Sequence, residues 1–184
     1  MANMASPKGR VAFPSLFKAK PNKSGDGARY KVTMAFSKDA DLSDMRKVAE
    51  RVAKESFGAK AKGARSPFKS GQEYVDKGYE GFEADDIVVD FWRDSGKSAP
   101  VLVGPDGRSV VDDMSEIYSG CFGRVSCDCY AYDKGGNRGI NFGLAAFQKL
   151  EDGERIFASV EENPLAAFGV PDDQVPANAE AMFS

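Results

Sequence analysis

The sequence predicts a mainly β domain: a small, partly open antiparallel barrel with one inserted helix, a long basic loop and a disordered acidic C-terminal tail. Three observations carry this. Several segments alternate apolar and polar residues with a period of two, the turns between them are rich in glycine, and one stretch alone has helical spacing. A sandwich or an α+β arrangement satisfies the same pattern, and the order of elements favours the barrel.

Residues 9–20, GRVAFPSLFKAK, make the first strand, where Pro14 marks an edge or a bulge. PNKSGDG, residues 21–27, is a turn by composition. ARYKVTMAF, residues 28–36, alternates cleanly, with Tyr30, Val32, Met34 and Phe36 on one face and Arg29, Lys31 and Thr33 on the other. The two strands form a hairpin whose outer face is cationic.

The helix follows. Leu42, Met45, Val48, Ala49, Val52 and Ala53 form one apolar stripe, Asp41 or Ser43 caps the start, and Gly58 ends it. Residues 58–82, GAKAKGARSPFKSGQEYVDKGYEGF, then interleave cations, glycines and aromatics over a length that compact domains rarely leave without a purpose. Strands resume at 85–92 (DDIVVDFW), 100–104 (PVLVG), 119–132 (SGCFGRVSCDCYAY) and 140–150 (INFGLAAFQKL), giving about five in the barrel. In 119–132, Val125, Cys127, Cys129 and Ala131 face one way and Arg124, Ser126, Asp128, Tyr130 and Tyr132 the other. DKGGNRG, residues 133–139, predicts a hairpin turn longer than a two-residue loop. The single tryptophan, Trp92, shares a face with Val88 and Asp90, opposite Ile87, Val89 and Phe91, and is read as core ahead of the alternative of a ligand platform.

Composition narrows the chemistry. The 184 residues suffice for one domain with a tail, divided as 1–157 and 158–184. No apolar run is long enough for a bilayer, and the N-terminus lacks the apolar middle of a secretory signal, so the expectation is a soluble intracellular protein with no membrane partner. The absence of histidine removes the commonest general base and neutral metal ligand. Cys121, Cys127 and Cys129 lack zinc spacing, and Cys127 and Cys129 share a strand face without bridging geometry, so all three are expected to be buried free thiols. Residues 104–107 and 135–139 contain glycines but match no phosphate loop. Paired acids at 85–86, 112–113 and 161–162 point to opposite faces of any strand. No nucleophile–base pair emerges. The protein is expected to be no enzyme and to need no cofactor or metal, and a nuclease is the weakest reading.

Charge is distributed unevenly. Residues 1–80 carry a net +8, residues 81–150 −4 and residues 151–184 −7, within a total of −3. A basic front suits phosphates, and aromatic faces stack on bases of any identity. The residues expected to bind DNA are therefore Lys18, Lys20, Arg29, Lys31, Lys60, Lys62, Arg65, Phe68, Lys69, Tyr74, Lys77, Tyr79, Arg124, Tyr130, Tyr132 and Arg138. The alternative for the loop aromatics, Phe82 included, is that they pin the loop to the barrel. In the tail, Asp172, Asp173, Glu180 and Phe183 combine charge with an apolar tip, which suits competition for the protein's own basic groove or docking on replication or recombination proteins.

YSGCFGRVSCDCYAYDKGGNRGINFGLAAFQKLEDGER, residues 118–155, resembles the signature end of a family of tailed-phage single-stranded DNA-binding proteins, once catalogued as a domain of unknown function. The shared pattern is a tyrosine leading into Ser-Gly-Cys, a strand ending in Tyr-x-Tyr, a glycine-rich turn, and a return strand through Gly-Leu to Gln-Lys-Leu. GRVAFPSLF, ARYKVTMAFSKD and GYEGF sit where members carry similar segments, so the resemblance covers most of residues 8–155. It implies a five-stranded Greek-key OB-fold that coats single-stranded DNA during phage replication or recombination, in the cytoplasm of the infected bacterium. The reading from a different class is a phage protein-interaction or structural module acting through its acidic tail. Self-association is open on either reading.

Overall fold

The computed structural model describes residues 3–22, 25 and 27–156. Its strands are β1 (Met4–Ala5), β2 (Gly9–Pro21), β3 (Ala28–Phe36), β4 (Phe68–Ser70), β5 (Ile87–Asp94), β6 (Val101–Val103), β7 (Phe122–Lys134) and β8 (Asn137–Glu151). The helices are α1 (Ser43–Phe57) and a short α2 (Gln72–Asp76), with 3-10 turns at Gly58–Gly63 and Met114–Glu116.

Five strands close a ring. β2 pairs with β3, β3 with β5, β5 with β8, β8 with β7, and β7 returns to β2. All these pairs are antiparallel except β5 with β8. Two seams are short: β5–β8 aligns only Phe91↔Phe142 and Trp92↔Gly143, and β2–β7 only Gly9↔Gly123 and Arg10↔Phe122. This is a partly open OB-fold barrel, with β1, β4 and β6 added at its margins. The sequence pattern passes over β1 and β4 because two or three residues show no alternation to read.

Alternation sorts the side chains. Val32, Met34 and Phe36 from β3, Val89 and Phe91 from β5, Val125, Cys127 and Cys129 from β7, and Phe142 and Leu144 from β8 fill the barrel. α1 seats Met45, Ala49 and Val52 on this core. The Asp41 carboxylate accepts the Ser43 N–H at 3.0 Å, while Gly58, with φ of 52°, turns the chain out of the helix. The three thiols are free and buried, and burial pushes Cys127 up to about 12 and Cys129 to about 11, so both remain protonated at neutral pH.

Two expectations need correction. The hairpin between β7 and β8 is a two-residue loop: Lys134 pairs with Asn137, and Gly135 and Gly136 have φ of 60° and 89°. Polar flanking residues had disguised the ends of the strands, which here continue as a ladder outside the core. The long loop is also partly built, since it contains a 3-10 turn, β4 and α2. The bulge expected at Pro14 is present as a register shift between Ala12 and Ser15, beside Phe13 at φ of 49°.

Phe142 touches both Phe91 at 5.9 Å and Phe68 at 5.8 Å, linking the seam to the loop. Phe142→Ala is expected to lower the unfolding free energy in urea by about 3–5 kcal/mol. A loss below about 1 kcal/mol would mean that this ring does not hold the seam.

Candidate nucleic-acid interface

The outer face of the β3–β5 pair has two zones. Register places Ala35 opposite Val88, then Thr33 opposite Asp90, Lys31 opposite Trp92, and Arg29 opposite Asp94. The apolar end is covered: Ala12, Ala35 and Val88 lie in one cluster with Tyr74 and Phe82, and Phe13 and Tyr79 pack against it. Tyr74 stacks on Phe82 at 4.6 Å, and Phe13 meets Tyr79 edge-on at 5.3 Å. The aromatic half of the loop is therefore scaffold, because the apolar patch beneath it would otherwise face water.

The polar end begins at Asp90. Its carboxylate receives Thr33 Oγ1 at 2.5 Å and Lys69 Nζ at 2.7 Å, and lies 3.3 Å from Lys31 Nζ. Burial works to raise this carboxyl, but the charges of Lys31 and Lys69 and the bonds from Lys69 and Thr33 outweigh it and hold the group below its usual range. Burial likewise works to lower the Lys69 ammonium, and the charge and hydrogen bond of Asp90 hold it above its usual range.

Arg29 lies over the Trp92 ring at 3.8 Å, with its Nε 3.3 Å from Asp94. Trp92 meets Tyr130 edge-on at 5.7 Å. Gly143 of β8 lies between the strands that carry these rings, and a Cβ there would collide with the Asp128 carboxylate and come within 3.6 Å of Tyr130. Tyr132 continues the row opposite Gly139. Burial raises the Tyr130 phenol against a bond from Asn141, so it stays protonated. Beyond it Arg138 pairs with Asp133 at 2.7 Å. The chain at Arg65 joins β8 through its N–H to Arg138 O at 2.9 Å and its carbonyl to the Ile140 N–H at 3.1 Å.

The structure thus brings Arg29, Lys31, Lys69, Tyr130, Tyr132, Arg138 and Arg65 onto one continuous surface. Lys20 stands beside Arg29 in the β2–β3 ladder, and Lys18 is exposed on the same strand. Lys60 and Lys62 are exposed on the 3-10 turn after α1, and the charge of Lys60 reaches Asp133. Phe68 is half-buried, with Phe142 at its edge and Arg46 4.7 Å over its ring. Four of the expected residues lie apart from this row. Tyr74 is buried and stacked on Phe82, and Tyr79 is engaged with Phe13. Lys77 sits 5.7 Å from the Tyr74 ring, away from the row. Arg124 shares the tyrosines' face but lies eight residues from Tyr132, about 26 Å along an extended strand, where its Nε donates to Gln148.

Sequence reasoning missed Trp92, which stands on the outer face instead of in the core, and the acids that pair with the cations: Asp90, Asp94 and Asp133. The parity of β5 held the signal for Trp92 and Asp90, but only the register with β3 shows which cations they meet. Asp172, Asp173, Glu180 and Phe183 lie outside the described residues.

The family described as the ssDNA-binding protein of Enterobacter phage Enc34 matches residues 3–177. The solved single-stranded DNA-binding protein from bacteriophage Enc34, in complex with ssDNA, superposes with a TM-score of 0.67 at 17% identity, over 84% of this chain and 89% of that one. Gp2.5, a single-stranded DNA-binding protein of bacteriophage T7, superposes with a TM-score of 0.61 at 14% identity, over 83% and 93%. At these identities the structures establish the shared fold. No curated protein matches the chain in sequence.

Asp90→Asn is expected to cost about 1 kcal/mol of stability at pH 7, a modest figure because both lysines are partly exposed. Since the folded-state value of Asp90 is depressed, its contribution is present above the unfolded value near 3.8 and fades as pH falls through the lower folded value. Urea titrations at pH 7 and pH 3 should therefore show the gap between variant and wild type closing in acid. An equal gap at both would assign the loss to packing.

Proposed function

The chain belongs to the family of the Enterobacter phage Enc34 ssDNA-binding protein, and from that membership we propose that it binds single-stranded DNA without sequence preference and without catalysing a reaction. It coats the strand during phage replication or recombination in the cytoplasm of the infected bacterium. The family match over residues 3–177 carries this reading, and the row of cations and rings across the barrel supports it. No helix among the described residues is long and apolar enough to cross a membrane.

The interface on this reading comprises Arg29, Lys31, Lys69, Arg65 and Arg138 for phosphates, flanked by Lys18, Lys20, Lys60 and Lys62, with Trp92, Tyr130 and Tyr132 for bases. Phosphates displace the carboxylates now paired with Arg29, Lys31, Lys69 and Arg138. The exchange is inexpensive at Arg29 and Arg138, because partly exposed ion pairs such as theirs are worth about 0–1 kcal/mol each. Residues 1–157 serve as the DNA-binding domain and 158–184 as an acidic segment that competes for the cationic face or docks on replication or recombination proteins.

Fluorescence anisotropy of labelled oligo-dT at several salt concentrations, beside a duplex of equal length, tests the reading. Salt-sensitive binding that favours the single strand is expected, and no binding at low salt would transfer function to the acidic segment and a protein partner. Arg65→Ala with Lys69→Ala should weaken binding and reduce the slope of log affinity against log salt by about 1.4, at roughly 0.7 per phosphate contact on single strands. An unchanged slope would remove both residues from the interface. Deletion of residues 169–184 should strengthen binding, and equal affinity would discard competition by that segment.

A further inference from the structure

Most rings on or near the interface already have a neighbour on them. Arg29 lies over Trp92, Arg46 over Phe68, Tyr74 is stacked on Phe82 and Tyr79 packs with Phe13. Tyr130 receives the edge contact from Trp92. Tyr132 differs: it is half-buried, yet among the described residues no ring or cation is seated on it.

What lies beneath Tyr132 is a glycine. Tyr132 and Gly139 are direct cross-strand partners, and Ile140 and Phe142 point into the barrel, so position 139 faces outward with the tyrosine. A Cβ built on Gly139 would stand 2.6 Å from Tyr132 Cε1 and Cζ, with the phenol oxygen also in contact. The three nearest atoms all belong to this one side chain. The far half of the ring thus occupies the space a side chain at 139 would need. The glycine's φ lies outside the left-handed region, so alanine suits the backbone, and the atoms it would meet first are those of the ring. Nor can the strand easily retreat. β8 is laddered to β7 here, and the chain at Arg65 is bonded to it through Arg138 O and the Ile140 N–H.

We propose that Gly139 is a positioning residue for base stacking: its bare Cα lets Tyr132 lie across β8, leaving the outer face of that ring as the open stacking surface for a nucleobase. This rests on the reading of the protein as a binder of single-stranded DNA. It makes a distinction that reading does not: the cations hold the sugar–phosphate chain regardless of Gly139, and the base contact depends on it. Substitution at 139 should therefore act on bases and leave phosphates alone.

The test uses the full chain, labelled oligo-dT and a strand of equal length made entirely of abasic sites. Gly139→Ala is expected to retain a cooperative thermal transition and to bind oligo-dT about tenfold more weakly, within the range expected for one stacked base. Its salt slope should equal that of the wild type, and on the abasic strand the two proteins should bind alike. Tyr132→Ala should show the same pattern, and the double variant should lose no more than the worse single one. Wild-type affinity of Gly139→Ala for oligo-dT, an equal loss on the abasic strand, or additive losses would each overturn the proposal. Should Gly139→Ala fold poorly, Tyr132→Ala carries the comparison with Gly139 intact, and wild-type affinity of that variant for oligo-dT would overturn it as well. A wild-type protein that ignores oligo-dT overturns the functional reading and this proposal with it, whereas wild-type binding unaffected by either substitution overturns this proposal alone.

Discussion

The two-residue parallel seam between β5 and β8 holds this molecule in its working form. Phe91 faces Phe142 inside the barrel, and the next pair, Trp92 and Gly143, faces outward. Closure of the core and placement of the tryptophan are one event, since consecutive strand residues point to opposite faces. Without the seam, β3 and β5 would connect to β7 and β8 only through β2, and the cations of one pair would not lie beside the tyrosines of the other.

The basic loop between α1 and β5 divides its residues between two tasks. Its aromatic half, with Tyr74, Tyr79 and Phe82, covers an apolar patch on the outer sheet face, which hydrophobic burial stabilises. Its first half keeps Lys60, Lys62 and Arg65 toward solvent, with Arg65 joined by backbone bonds to the start of β8. Lys69 stands at the boundary. On one side it meets the carboxylate of Asp90, and on the other the covered aromatic cluster begins.

Carboxylates are set within the cationic face of a protein whose net charge is −3. Asp90, Asp94 and Asp133 hold long side chains in defined places and limit their mutual repulsion. Lys31 and Lys69 share one acid, so that site retains a net positive charge. Glycine does comparable work for the rings. At 139 and 143 the absence of a side chain on β8 makes room for groups reaching over from β7.

Much of this was legible in the order of residues. The bounds of β3, the apolar stripe of α1, the inward set on β7 and the buried thiols all follow from alternation or helical spacing, which are local properties of the chain. So does the basic-to-acidic gradient, and the signature block of residues 118–155 carried the family. The fate of Tyr74 was not legible, and that of Trp92 only in part, since strand parity sets it beside Asp90 but also beside the buried Val88. A lone aromatic has the same local pattern whether its ring meets a core, a second ring or solvent, and only packing between distant segments separates these cases. Lys69 with Asp90 and Lys31, Arg29 with Trp92, and Tyr132 over Gly139 are cross-strand pairings. The sequence alone determined which faces are apolar and where charge accumulates, because periodicity is written residue by residue. The tertiary structure decided which cation meets which acid and which ring stays uncovered, because those depend on register, and a shift of one residue would exchange every inward side chain for an outward one.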